Sequence, residues 1–214
     1  DNVALGPHAT HEARFPGGRL FLMPQGGGRA RIYFVCSPER LIATGADKSP
    51  AAFIQACAAY LPDGAFATAT AAGPVAFFLN PDTWSSRVAE RDVVLLGDAA
   101  GANDPSVGQG LSIVFRDVRI LREILLESRD WSSALEAFAQ RREAYFQVLR
   151  EHAKWLGILV TEEGPEADAR RERFARAREF DPSAGGFALI FARGPDGLVA
   201  GDADRRRFFG EGVA

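Results

Sequence analysis

Hydrophobic positions along this chain change their spacing from about two residues to about 3.6, and that change organises the sequence. Within residues 11–36, "LFLMP" at 20–24 and "ARIYFVC" at 30–36 read as strands. The intervening "QGGGR" carries the glycines a tight hairpin turn needs, so a β-meander is expected. "KSPAAFIQACAAYLPDG" reads as a helix, with Ser49 as N-cap, Pro50 in the first turn and 62–64 as its stop. "AFATAT" at 65–70 and "PVAFFL" at 74–79 predict two further strands. After the loop "NPDTWSSRVAER" comes "DVVLLG" at 92–97, a continuous apolar run expected of a strand covered on both faces. Leu111, Val114, Phe115, Val118, Leu121 and Leu125 then recur at helical spacing. A second long helix is expected to open at "DWSSALEAF", with Ser133 and Glu136 as a capping box. It should bury Leu135, Phe138, Tyr145, Leu149 and Leu156. A third starts at "GPEADARR", with Pro165 in its first turn. From Gly185 onward the glycine- and arginine-rich pattern assigns no element, and no internal repeat runs through the chain.

Composition narrows the partners. At 214 residues the chain can bury a substantial core as one large domain or two small ones. A formal net charge of -3 gives no electrostatic reason for a nucleic acid or an anionic membrane as partner. The arginines of "RERFARAR" at 171–178 and "RRR" at 205–207 lie among acids and read as solvated helix faces. No apolar run reaches the ~20 residues of a membrane span, and the N-terminus lacks the pattern of a signal peptide. Cys36 and Cys57 read as reduced core cysteines of a cytoplasmic protein. The sole methionine is Met23, so Asp1 is not expected to be a translation start; the chain reads as a fragment whose missing part lies upstream.

The chemistry concentrates in "VVLLGDAAGANDPSVGQGLSIVFRDV". A strand ending in Gly97-Asp98 delivers a carboxylate to the sheet edge where α/β folds bind ligands. Asp98 can accept hydrogen bonds from a pair of ligand hydroxyls. Gly108 and Gly110 let backbone approach a flat ligand closely. A helix starting near Gly110 aims unpaired N–H groups and a positive dipole end at that ligand. A reduced flavin, which develops negative charge at one ring edge, fits such a cradle. Elsewhere His8 and His11 are three apart, but no third ligand accompanies them and no metal site is assigned. His152 beside Trp155 reads as a packing residue. No general acid or base is visible, and the catalytic residues are left unassigned.

The same stretch resembles the second flavin-contacting motif, GDAAH-x3-P-x2-GQG-x-N-x4-DA, of the class A flavoprotein monooxygenases, the aromatic hydroxylases related to para-hydroxybenzoate hydroxylase. Gly97, Asp98, Ala99, Ala100, Pro105, Gly108, Gln109, Gly110 and Asp117 match at the right spacing. The Trp84 region, the long C-terminal helices and the initial meander resemble the same family. By that resemblance Asp98 would hold the ribityl hydroxyls of FAD and Pro105 would sit beside the reactive ring face. The backbone of Gly110, Leu111 and Ser112 would bond the pyrimidine edge, and Asp117 would be structural. The usual histidine is Gly101 and the usual asparagine is Ser112, whose backbone N–H keeps that contact available.

No G-x-G-x-x-G occurs anywhere, so the N-terminal Rossmann unit that the family uses for the rest of FAD is expected upstream, as a partner half of the same polypeptide. The resemblance implies an α/β fold made of the C-terminal part of a two-domain FAD-binding architecture. Residues 1–91 would be substrate-domain sheet with one helix, 92–128 the last FAD-domain strand, loop and helix, and 129–214 a helical region and tail. It implies a monooxygenase using NAD(P)H and dioxygen on an aromatic or polyketide-like small molecule. The fragment alone is expected to be inactive and, with a sheet edge and helix face uncovered, poorly stable. Halogenases and isoprenoid reductases share similar Gly-Asp loops, and a non-catalytic interaction domain on the same fold is the reading from another class.

Overall fold

The computed structural model describes residues 1–6, 10–79, 82–102, 105, 108–182, 189–190, 193 and 197–211. The chain is a mixed α/β protein with small antiparallel sheets and several helices. It divides into two compact units, Asp1–Phe78 with Ile158–Ala167, and Leu79–Gly157 with Asp168–Ala214.

In the first unit, β1 (His11–Phe15), β2 (Gly18–Gly26) and β3 (Arg29–Cys36) form an antiparallel sheet in that order. The expected meander is present, extended by β1. Gly26, Gly27 and Gly28 all take left-handed backbone, φ +83°, +59° and +74°, so the glycine run turns the hairpin where side chains would be strained. The pairing register shifts between Pro24 and Gly26, beyond the last β1 partner at Leu22, so Pro24 interrupts no β1 ladder. Period-two alternation sends Leu20 and Leu22 into the core with Phe15, Cys57, Ala65 and Phe66. Phe15 stacks on Tyr60 at 4.2 Å and on Phe34 at 5.0 Å.

Two capped helices follow. The Ser37 hydroxyl accepts from Arg40 N–H at the start of α1 (Pro38–Thr44), which ends on left-handed Gly45. This helix is invisible to periodicity because it buries no residue and so carries no apolar stripe. At α2 (Pro50–Ala58), Ser49 Oγ accepts from Ala52 N–H at 3.1 Å, as its position before Pro50 implies.

Two expected strands are absent. Segments 65–70 and 74–79 form turns and irregular backbone, with Phe78 and Leu79 nearly four-fifths exposed. β-propensity alone does not make a strand, which needs a ladder of neighbours for its N–H and C=O groups. Segment 65–70 meets the N-terminus only through isolated bonds such as Ala4 N–H to Ala65 C=O at 2.9 Å and Thr70 N–H to Asp1 C=O at 3.0 Å, and neither segment joins a sheet among the described residues. The buried strand expected at 92–97 is likewise reduced to β5 (Val93–Val94), paired only with β4 (Ala89–Glu90). Val93 is 64% exposed and Val94, Leu95 and Leu96 are half-buried, so the run is only partly covered.

Helices dominate the second unit: α3 (Gly110–Glu127), most of α4 (Trp131–Thr161) and of α5 (Pro165–Phe180), and α6 (Asp202–Phe208). The α4 stripe of Leu135, Phe138, Tyr145, Leu149 and Leu156 is buried, as its spacing requires. Its cap lies one turn earlier than the Ser133–Glu136 pattern. Asp130 accepts from the N–H groups of Ser132 and Ser133 at 3.1 and 3.3 Å, and from the Ser133 hydroxyl. A carboxylate at that position satisfies two orphan donors at once, and these bonds hold its pKa below the ordinary aspartate value. Helix α6 packs Phe208 against Trp155, Phe174 and His152. Among the described residues no helix is long and apolar enough to cross a membrane.

Candidate functional site

The loop singled out in the sequence opens as a tight turn. Gly97–Ala99 is a single 3₁₀ turn in which Ala100 and Gly101 N–H groups return to Gly97 C=O at 3.0 and 3.2 Å. Gly97 has φ +53°, and a Cβ there would stand 2.4 Å from Val114 Cγ2 on α3. Only glycine combines that backbone with that approach. Asp98 follows with its carboxylate exposed, and a Cβ placed on Gly110 would lie 3.9 Å from Asp98 Oδ1. The acid and the start of α3 therefore face the same space.

That helix start is open. Gln109 is the N-cap without a side-chain cap bond, and the first bond into the helix is Ile113 N–H to Gln109 C=O at 2.9 Å. The N–H groups of Gly110, Leu111 and Ser112 have no intrahelical acceptor. Gly108, at φ +67°, donates to Pro105 C=O at 2.9 Å, and a Cβ on it would meet nothing within 4 Å among the described residues. Pro105, Gly108, Leu111 and Ser112 are exposed, while Gln109 and Gly110 are half-buried. The eight candidates thus fall on the Gly97–Ala99 turn, on the Pro105–Gly108 turn and at the start of α3.

Behind the turn lies a buried polar cluster. Asp117 and Arg142 are fully buried and paired at 3.0 Å, Nε to Oδ2. The same Oδ2 accepts from Gly97 N–H at 2.8 Å, Arg142 Nη2 donates to Gly97 C=O at 3.3 Å, and Tyr145 Oη donates to Asp117 Oδ1. Arg142 also lies 4.4 Å over the Phe146 ring. The sequence marks Asp117 as structural and Tyr145 as plain core, and it assigns Arg142 no role. The available signal is periodicity: Arg142 sits four residues after Phe138 and three before Tyr145, on the buried stripe where an arginine must have a partner.

The other flank explains Gly101, where the resembled motif has histidine. Thr83 N–H bonds Ala102 C=O at 2.9 Å and Ser85 N–H bonds Ala100 C=O at 3.2 Å, zipping 83–85 along 100–102. A Cβ on Gly101 would lie 3.0 Å from Thr83 O and 3.1 Å from Phe146 Cε1. Trp84 stacks on Phe146 at 5.0 Å, with the Arg150 guanidinium 4.8 Å over its ring while bonding Asp82. The side chain lost at Gly101 is matched by close packing of this strap.

His11 stands at the start of β1 in the first unit. His8 lies outside the described residues. His152 is buried, with Nε2 2.9 Å from Val199 C=O and its ring 4.5 Å from Trp155; burial pushes its pKa below the ordinary value. No group of three or more His, Cys, Asp and Glu with metal-ligating geometry occurs among the described residues. Burial raises the Cys36 thiol and pushes Cys57 up to about 12, the nearby Cys36 adding to the latter, so both read as protonated thiols.

Chemically, an exposed carboxylate beside uncapped helix N–H groups suits a ligand with hydroxyls at one point and an electron-rich edge at another. The face of Gly108 admits a flat group with no described side chain in its way, and the position of a Cβ at Gly110 is approached only by Asp98 Oδ1, at 3.9 Å.

The site lies within a stretch that is similar to a known family. Residues 63–160 match the family model described as squalene epoxidase. Kynurenine 3-monooxygenase of Salinispora arenicola is 38% identical over 78 residues, 36% of this chain and 17% of that protein. Its namesake from Salinispora tropica is 41% identical over 73 residues, 34% of this chain and 16% of the relative. Squalene monooxygenase of Rattus norvegicus is 30% identical over 85 residues, 40% of this chain and 14% of the rat protein. The match therefore spans at most 17% of the length of these curated relatives, all of them monooxygenases by name.

Proposed function

We propose that this chain is the C-terminal part of an FAD-dependent monooxygenase acting with NAD(P)H and dioxygen on an aromatic or polyketide-like small molecule. The observation that carries the reading is the Gly97–Asp98 turn facing the uncapped start of α3, within a stretch matched to an epoxidase family model. The residues fit the cofactor. Asp98 would accept from the ribityl hydroxyls, and the N–H groups of Gly110, Leu111 and Ser112 would meet the pyrimidine edge. Gly97 would keep the turn tight, Gly108, Gln109 and Gly110 would leave the ring room, and Pro105 would border it. FAD, when bound, supplies the electron transfer from NAD(P)H and the activation of dioxygen. The chain's own part is to hold and orient the cofactor and to place the positive end of α3 where negative charge develops.

The upstream Rossmann half is part of the same reading. Leu111 and Phe115 are 67% and 65% exposed, and Leu96, Val118, Leu121, Leu125, Leu126 and Trp131 line an open apolar groove of about 450 Å³. An exposed apolar face of this kind belongs against another folded unit.

Flavin binding by the intact polypeptide tests the function. Wild type should purify with a flavin absorbance band and quench added FAD fluorescence, and Asp98→Ala should lose both while keeping its circular dichroism. NAD(P)H oxidation would then be screened against aromatic substrates. An intact wild type without affinity for FAD would overturn the reading.

A further inference from the structure

Asp98 is exposed, so packing does not aim its carboxylate; the backbone just before it does. That backbone is held to an unusual degree. Gly97 donates its N–H to Asp117 on α3, twenty residues on, and accepts through its C=O from Arg142 on α4, forty-five residues on. Asp117 and Arg142 pair with each other, and Tyr145, a turn further along α4, fills the second carboxylate oxygen. Van der Waals contact with Val114 closes the remaining side. Two helices distant from it in sequence converge on one residue.

A buried ion pair is a costly way to fill a core, since well-packed apolar groups of similar volume usually serve stability as well or better. What an ion pair offers instead is direction: a carboxylate and a guanidinium accept and donate along fixed lines. Here both lines end on the two polar backbone groups of Gly97. We propose that Asp117, Arg142 and Tyr145 are positioning residues, a clamp that sets the Gly97–Asp98 turn and thereby the aim of Asp98 at its ligand. The inference rests on the flavin reading of the site. It predicts that loosening the clamp weakens flavin binding out of proportion to any loss of fold stability.

The experiment uses the intact polypeptide with three variants. Tyr145→Phe removes a single hydrogen bond to Asp117 and leaves the ion pair. Arg142→Lys keeps a cation but loses the fork that reaches Asp117 and Gly97 together. Phe174→Leu, in the cluster around Phe208, is a core change away from the clamp. For each, the melting temperature, the FAD dissociation constant from fluorescence quenching, and the hydrogen exchange rate of the Gly97 amide are measured.

Tyr145→Phe and Arg142→Lys should weaken FAD binding by about tenfold, the equivalent of one charged hydrogen bond, and speed exchange at Gly97. Phe174→Leu should lower the melting temperature at least as much as Tyr145→Phe with FAD affinity and Gly97 exchange unchanged. If both clamp variants bind FAD as wild type does, the network is only core and the proposal is wrong. It is equally wrong if all three variants lose affinity in step with melting temperature. A wild type that binds no FAD sinks the function reading and this inference together, whereas a flavin-binding wild type with indifferent clamp variants sinks the inference alone.

Discussion

Replacing Gly97 by alanine adds one methyl group at the point where the turn presses on α3. Two costs follow from the geometry. The backbone sits at φ +53°, where an L-residue pays about 1–2 kcal/mol. The new Cβ would start 2.4 Å from Val114 Cγ2, and valine in a helix has one strongly preferred rotamer, so it cannot swing aside. Relief requires the turn or α3 to shift, an overpacking cost of about 1–3 kcal/mol. The sum, about 2–5 kcal/mol, should appear as a lower midpoint in denaturant at unchanged slope. The steric share can be isolated. Val114→Ala alone should cost about 1 kcal/mol for half-buried methyl groups. The double variant should be more stable than the sum of the singles by about 1–3 kcal/mol. A Gly97→Ala loss below about 1 kcal/mol would refute the crowding argument. So would strict additivity with Val114→Ala, which would leave only the backbone share.

Gly101 gives a parallel test on the other flank. Gly101→His, restoring the residue of the resembled motif, should destabilise by about 1–3 kcal/mol or more, because its Cβ meets Thr83 O and Phe146; a variant that melts with wild type would show that the strap yields freely. His152 makes stability pH-dependent. Burial lowers its folded pKa below the unfolded value of about 6.5, so the unfolded state binds more protons as pH falls below that value and stability declines. Denaturation midpoints measured about one pH unit above and about one below that value should therefore differ more in wild type than in His152→Gln, and equal differences would remove His152 as the cause. Cys57, with its thiol pushed up to about 12, should resist alkylation in mildly alkaline buffer in the folded protein and react on unfolding; labelling of Cys57 in the native state would contradict its burial.

Much of this molecule is legible from local pattern. The hairpin glycines, the Ser49 cap, the buried stripe of α4 and the start of α3 at Gly110 all follow from rules that act within a turn or two of chain. The spacing from Gly97 to Asp117 also marks the loop, because a tight turn and a helix start are local events. Where local pattern misleads, the missing information is a partner. "PVAFFL" and "DVVLLG" have the composition of strands, but a strand exists only when a neighbouring chain accepts its hydrogen bonds, and no residue string specifies that neighbour.

The tertiary structure decided the rest for the same reason. That Gly101 has no space for a side chain depends on Thr83 and Phe146, eighteen residues before and forty-five after. That Arg142 is more than a solvated charge depends on Asp117 and on the backbone of Gly97, brought together only when α3 and α4 pack. Hydrogen-bond propensity, turn chemistry and periodicity are properties of neighbours along the chain and can be read in order. Burial, crowding and ion pairing are properties of neighbours in space, so the sequence determined which groups could make the turn and the fold determined which groups hold it.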